Sequence, residues 1–220
     1  DLGDALSVVG DAQTIRLLEN IDYSDGIAIN GISITLDLDG HRLNVINPAG
    51  AGLSVNDGAV SLTGLSGSAA FNVTGTDYGV FVTGAASSTT VTSAVASGAG
   101  GIGAWAENGG SIEVAGDAQG VTAGAGASEA GSSVTVGGNA TAGGDNGFGA
   151  FARIDGSVVV TGNVVASGAD GIGARAESGG SIQITGYAQG VMAGVYANDA
   201  DSSVTVGGHA AASGVSSFGV

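Results

Sequence analysis

The chain has 220 residues, with 44 glycines, one proline, no cysteine and a formal net charge of −16. Its four cations are all arginines, Arg16, Arg42, Arg153 and Arg175, too few and too scattered for a nucleic-acid interface or for an anionic membrane surface. Disulfides and thiolate metal sites are excluded, no run of about 20 apolar residues spans a bilayer, and 43% apolar residues in alternation fill a core and exclude a disordered chain.

Residues 1–12 read as an N-terminal cap. Leu2, Ala5, Leu6 and Val9 fall on one face of a short helix, which would cover the first sheet edge and block its pairing with other chains. Residues 13–77 read as irregular first coils. Strands are expected at Thr14–Leu18, Ile27–Ile29, Ile32–Leu38, Leu43–Ile46, Leu53–Val55, Val60–Thr63 and Ala70–Val73, separated by turn residues such as Asn56-Asp57-Gly58.

From Tyr78 onward the sequence repeats. Gly101-Ile102-Gly103-Ala104-Trp105-Ala106-Glu107 returns as Gly171-Ile172-Gly173-Ala174-Arg175-Ala176-Glu177, an offset of 70 that also carries Ser133–Gly138 onto Ser203–Gly208. Each 70 holds three sub-units, beginning at Tyr78, Ile102 and Val121 and again at Phe148, Ile172 and Val191. Second strands follow at Ser111–Val114, Ser133–Val136, Ser157–Val160, Ser181–Ile184 and Ser203–Val206. Glycine-rich units of 19–27 residues with β-branched alternation and no helical period fit the coils of a parallel β-helix. A leucine-rich repeat would need a Leu/Asn consensus, a calcium roll tandem nine-residue units, and a propeller a longer period. The whole of 1–220 is thus expected to be one all-β domain, a right-handed parallel β-helix by the usual hand of crossovers. It stops at Phe218-Gly219-Val220, three residues into a further copy, as expected of a piece of a longer protein.

Ile34-Thr35-Leu36-Asp37-Leu38-Asp39-Gly40-His41-Arg42-Leu43 resembles the Thr-Leu-Asp-Leu-Asn-Gly-His-Thr-Leu stretch of β-helical bacterial surface proteins, with Asp39 in place of Asn and Arg42 in place of Thr. The later Gly-Ile-Gly-Ala and Asn-Gly-Gly-Ser-Ile pattern resembles autotransporter-passenger adhesins and other pectate-lyase-like solenoids. The resemblance implies an extracellular, cell-surface location and a rod joined to flanking segments of the same polypeptide. Its implied partner is a host or cell-surface glycan or protein. It is specific for fold and poor for function, because the same coil serves adhesins, spacers and lyases.

Aligning the sub-units on their first apolar residue puts that residue and the ones two and four further on inside, with the odd positions outside. One outer column then reads Phe81, Trp105, Gly124, Phe151, Arg175, Gly194, and the next holds Arg153 beside Glu177, an exposed pair worth about 0.2–1 kcal/mol. Phe81, Trp105, Phe151 and Arg175 are the candidate ligand-binding residues, since aromatic faces stack on sugar rings or anchor a protein partner. The competing reading has them packed on one another as a shield for the sheet. Asp145, Asn146 and Asp170, on equivalent turns of adjacent coils, with Asp77 in an earlier turn, are candidate calcium ligands, although Asp and Asn favour turns anyway.

Catalysis is not expected. Glu107 and Glu177 lie three coils apart, about 14 Å, beyond the spacing of a glycosidase pair. There is no lysine to act as a lyase base, His41 and His209 are remote in sequence, and no Gly-x-Ser-x-Gly elbow appears. The readings that remain are a non-catalytic surface rod with adhesive faces and a carbohydrate-binding module. An ice-binding array would need regularly spaced threonines, and Thr90, Thr92, Thr135, Thr161 and Thr205 do not make one.

Overall fold

A computed structural model describes residues 1–214, and the further copy expected from Phe218 lies outside them. The chain winds as a three-faced parallel β-solenoid of about eight turns. Among the described residues there are 26 strands, and each but the last three pairs in parallel with the strand three places later, giving sheets of nine, nine and eight strands. With rungs about 4.8 Å apart, the stack is about 40 Å long.

The expected cap is present. The helix Leu2–Val8 is closed by a capping box in which the Asp1 side chain accepts from the Asp4 backbone N–H and Asp4 reaches back. Leu2 is buried, and Leu6 and Val9 lie against the core of the first coil.

The first face carries the bulk of the core. Its strands Ser111–Val114, Ser133–Val136, Ser157–Val160 and Ser181–Ile184 stack so that Ile112, Val134, Val158 and Ile182 form one inner column and Val114, Val136, Val160 and Ile184 the other. Thr89 interrupts the first of these, and its buried hydroxyl donates to the Val60 carbonyl at 3.3 Å. Alanines from the third face lie inside too, so large side chains on one wall meet small ones on the other.

The third face differs from expectation in register. Ala123, not Val121, sits opposite Ile102, and Ala193, not Val191, opposite Ile172. Tyr78, Ile102 and Phe148, each the first residue of its strand, are half-buried on the outer side, and the residue after each faces inward. That inner corner position is occupied by Gly52, Gly79, Gly103, Gly124, Gly149, Gly173 and Gly194, because the second face passes immediately beneath it. A Cβ on Gly103 would lie 2.5 Å from the Gly124 carbonyl oxygen and 2.7 Å from the Gln119 nitrogen. Placing Val121 in the first position would put Thr122 at this corner, where its Cβ has no room. The glycine sets the register, and the apolar Val121 covers the bend outside it.

Candidate functional site

The outer surface of the third face is built on strands Tyr78–Thr83, Ile102–Glu107, Ala123–Ser128, Phe148–Arg153, Ile172–Glu177 and Ala193–Asn198. The middle outer column reads Phe81, Trp105, Gly126, Phe151, Arg175, Tyr196. The four candidate binding residues therefore share one column as expected, with Gly126 and Tyr196 where Gly124 and Gly194 were expected.

Phe81 and Trp105 are backbone neighbours, but their rings turn to other partners. Phe81 meets Tyr78 on its own strand, ring centroids 5.0 Å apart. Trp105 lies flat across the next rung, where Gly126 has no side chain, and stacks on Phe151 at 6.3 Å with 26° between the rings. A Cβ on Gly126 would come within 2.5 Å of the indole. The indole N–H donates to Glu107 Oε2 at 3.0 Å, and Trp105 is only 6% exposed. Phe151 also stacks on Phe148 at 5.1 Å.

The arginines complete this surface. The Arg153 guanidinium lies 5.6 Å from the Trp105 ring and 5.8 Å from Phe151, while that of Arg175 lies 5.2 Å from Phe148 and 5.8 Å from both Phe151 and Tyr196. Such contacts are worth about 0.5–1 kcal/mol each at exposed sites. The expected Arg153–Glu177 pair does not form, although the two are register partners. Glu177 instead takes Arg175, its neighbour two residues back, at 2.6 Å, and Arg153 Nε donates to Ser128 Oγ at 3.2 Å. The cause is that Arg175 is held over the Phe148–Phe151 stack and so comes within reach of the nearer carboxylate. The column is in large part a self-packed shield. It leaves a depression of about 300 Å³ where the small coil Ala123–Ser128 lies between larger ones, bordered by Tyr78, Ile102, Glu107, Phe148 and Arg153. Burial, and then the charges of Glu107 and Asp77, raises the Tyr78 hydroxyl above its ordinary pKa.

Asp145, Asn146 and Asp170 do stack at one corner, between the second and third faces. Asp145 Oδ1 accepts the Ala169 N–H at 3.0 Å, and Asn146 N–H donates to the Ala169 carbonyl at 2.7 Å. Asn146 and Asp170 both have left-handed backbones, φ 55° and 56°, a conformation Asn and Asp tolerate well. Asp77 is not close to them, since it sits three rungs earlier at the same corner. No cluster of three or more His, Cys, Asp or Glu suited to a metal occurs among the described residues. No described helix is long and apolar enough to cross a membrane.

A second column was missed from sequence. Along the edge of the second face run Asp22, Asn44, Asn72 and Ser93, and then Asp117, Asn139, Asn163, Tyr187 and His209. Asn44 donates to Asp22 at 2.7 Å, Asn72 to Asn44 at 2.9 Å, and Ser93 to Asn72 at 2.9 Å. Lower down, the backbone N–H groups of Asn139, Asn163 and Tyr187 donate to the side chains of Asp117, Asn139 and Asn163 at 2.7, 2.9 and 3.1 Å. His209 stacks on Tyr187 with centroids 5.2 Å apart. A recurring Gly-x-Ala/Val carries the signal: Gly116-Asp117-Ala118, Gly138-Asn139-Ala140, Gly162-Asn163-Val164, Gly186-Tyr187-Ala188, Gly208-His209-Ala210.

No protein-family model, curated protein or solved structure matches the chain. The parallel β-solenoid stands on its own geometry.

Proposed function

We propose that this chain is a non-catalytic structural and adhesive rod of a bacterial cell surface, a stalk or passenger-like segment continuous with flanking parts of one long polypeptide. The observation that carries this reading is the unbroken register, each strand on the third one before it from Gln13 to Ala212. Length in such a stack comes from the number of coils, and side-chain ladders run along its faces. Several features of the sequence support the surface placement: the resemblance of Ile34–Leu43 to early coils of bacterial surface β-helices, the lack of cysteine, and a net charge of −16 that discourages lateral clumping. The non-catalytic reading is supported by Glu107 and Glu177 standing three rungs apart, and by His209 being engaged with Tyr187. Beads coated with the chain should be retained under flow on at least one of a panel of host cells, bacterial cells and matrix proteins. Retention on none of them removes the adhesive half and leaves a spacer.

The depression beside Trp105 favours a second reading, a carbohydrate-binding face. Aromatic rings flank it while one carboxylate and one guanidinium stand at its rim, the composition that recognises a ring with one apolar and several polar edges. Binding to immobilised glycans tests it. A chain that binds proteins or cells but no glycan belongs to the first reading alone.

A further inference from the structure

We propose that the coil Ala123–Ser128 forms the floor of a recess for a single pyranose ring of a neutral glycan. The inference rests on the carbohydrate-binding reading and narrows it to one place and one ligand chemistry. The outer residues of this coil are Ala123, Gly126 and Ser128, whereas the coils on either side present Ile102, Trp105 and Glu107, and Phe148, Phe151 and Arg153. Those flanking coils are two rungs apart, about 9.6 Å. Over Gly126 the gap is closed, because Trp105 leans across it onto Phe151. The depression of about 300 Å³ lies at the Ala123 end of the coil, where Ala123 lines it with a side chain only 1% exposed. That volume is at the small end of ligand pockets, about 300–1,000 Å³, so it suits one ring and not a buried oligomer.

The chemistry of the walls selects the ring. Phe148 and Tyr78 supply aromatic surface for the C–H face of a sugar. The Thr122 hydroxyl, the Glu107 carboxylate and the Arg153 guanidinium supply polar partners for its hydroxyls. Arg153 is held to Ser128 through Nε, and Glu107 to Trp105 through Oε2, so both are positioned before a ligand arrives. One cation and one carboxylate at the rim leave the recess near neutral, and the chain's charge of −16 opposes a polyanion. The recess does not recur in the second copy, where Tyr196 replaces Gly126 and lies by Arg175.

The test is calorimetric titration of the chain with neutral gluco-, xylo- and manno-hexasaccharides and with an oligogalacturonate, beside an Ala123→Ile variant. Isoleucine already occupies this outer column at Ile102 and Ile172, so the backbone accepts it, and far-ultraviolet circular dichroism confirms the fold. The substitution fills the recess while leaving every aromatic and charged wall residue in place. The expected result is binding of at least one neutral hexasaccharide, weakened tenfold or more in Ala123→Ile. Equal binding by both proteins overturns the recess and leaves the glycan reading intact. Binding of the galacturonate alone overturns the neutral-ring assignment in the same way. Binding of no saccharide overturns the carbohydrate reading and this inference together.

Discussion

Replacing Gly149 with alanine probes the close approach of the second and third faces at the inner corner. The added Cβ would stand 2.6 Å from Val164 Cγ1, 2.7 Å from the Val165 nitrogen and 2.8 Å from the Gly173 oxygen. Comfortable contact needs about 3.5–4.0 Å, so the second and third faces must part by roughly 0.7–1 Å at that rung. Two of the three obstacles are backbone atoms already committed to sheet pairing, which no rotamer change can clear. Overpacking of this kind costs about 1–3 kcal/mol, and a clash with backbone belongs at the upper end. At about 2–4 °C per kcal/mol for a chain of this size, Gly149→Ala should melt about 6–12 °C below the parent in thermal circular dichroism. Gly143→Ala is the control, because nothing lies within 4 Å of its Cβ. It should melt within about 2 °C of the parent or slightly above, since alanine narrows the unfolded ensemble. A Gly149→Ala protein as stable as the control would refute the inner-corner requirement, and with it the reason for placing Gly124 rather than Thr122 at that corner.

Three other outcomes are expected. Asn163→Ala removes the acceptor for the Tyr187 N–H and should cost about 1–2 kcal/mol in denaturant unfolding, whereas Asn163→Asp keeps an acceptor and should recover most of it. Trp105→Ala strips a nearly buried ring from Gly126, Phe151 and Arg153 and should cost about 3 kcal/mol; a loss below about 1 kcal/mol would mean that the indole lies on the surface without packing. Tyr78 should ionise later than an ordinary tyrosine in an ultraviolet titration. Because its folded pKa is the higher one, its contribution is complete below the ordinary value near 10 and is lost as pH rises through the folded value. The parent should therefore lose stability relative to Tyr78→Phe above about pH 10.

The parts of this fold that read well from sequence are those whose own residues favour a strand. Ser111–Val114, Ser133–Val136, Ser157–Val160, Ser181–Ile184 and Ser203–Val206 were all bounded correctly, because β-branched alternation between glycines leaves little choice. Of the second face, Leu43–Ile46 and Ala70–Val73 were read in the first coils, but in the regular coils it was nearly invisible. Segments such as Ala118–Gly120 and Ala140–Ala142 are three residues long and have no strand preference of their own. They are strands because the coils above and below present a ladder to them. The column from Asp22 to His209 was overlooked for the same reason, though the glycine before each of its later members marks the place. The aromatic column was found, and so was the reading that packs its rings on one another, but the partner of each ring was not. Which way Trp105 leans depends on Gly126 one rung away, and that neighbour appears only after the register is corrected by two residues.

The offset of 70 residues and the three-strand step of the sheets are commensurate, and this has a consequence for how the molecule can vary. Three coils are one full copy, so residue i and residue i+70 sit on the same face, in the same column, three rungs or about 14 Å apart. Adding or removing a whole copy would change reach in steps of that size without turning any side chain from inside to outside, and the joint would carry no seam. A length change other than a whole number of coils would shift the register and move the glycine off the inner corner. The stack thus works as a ruler graduated in whole coils, and the exchange of Trp105 for Arg175 shows that each mark on it can be given its own surface.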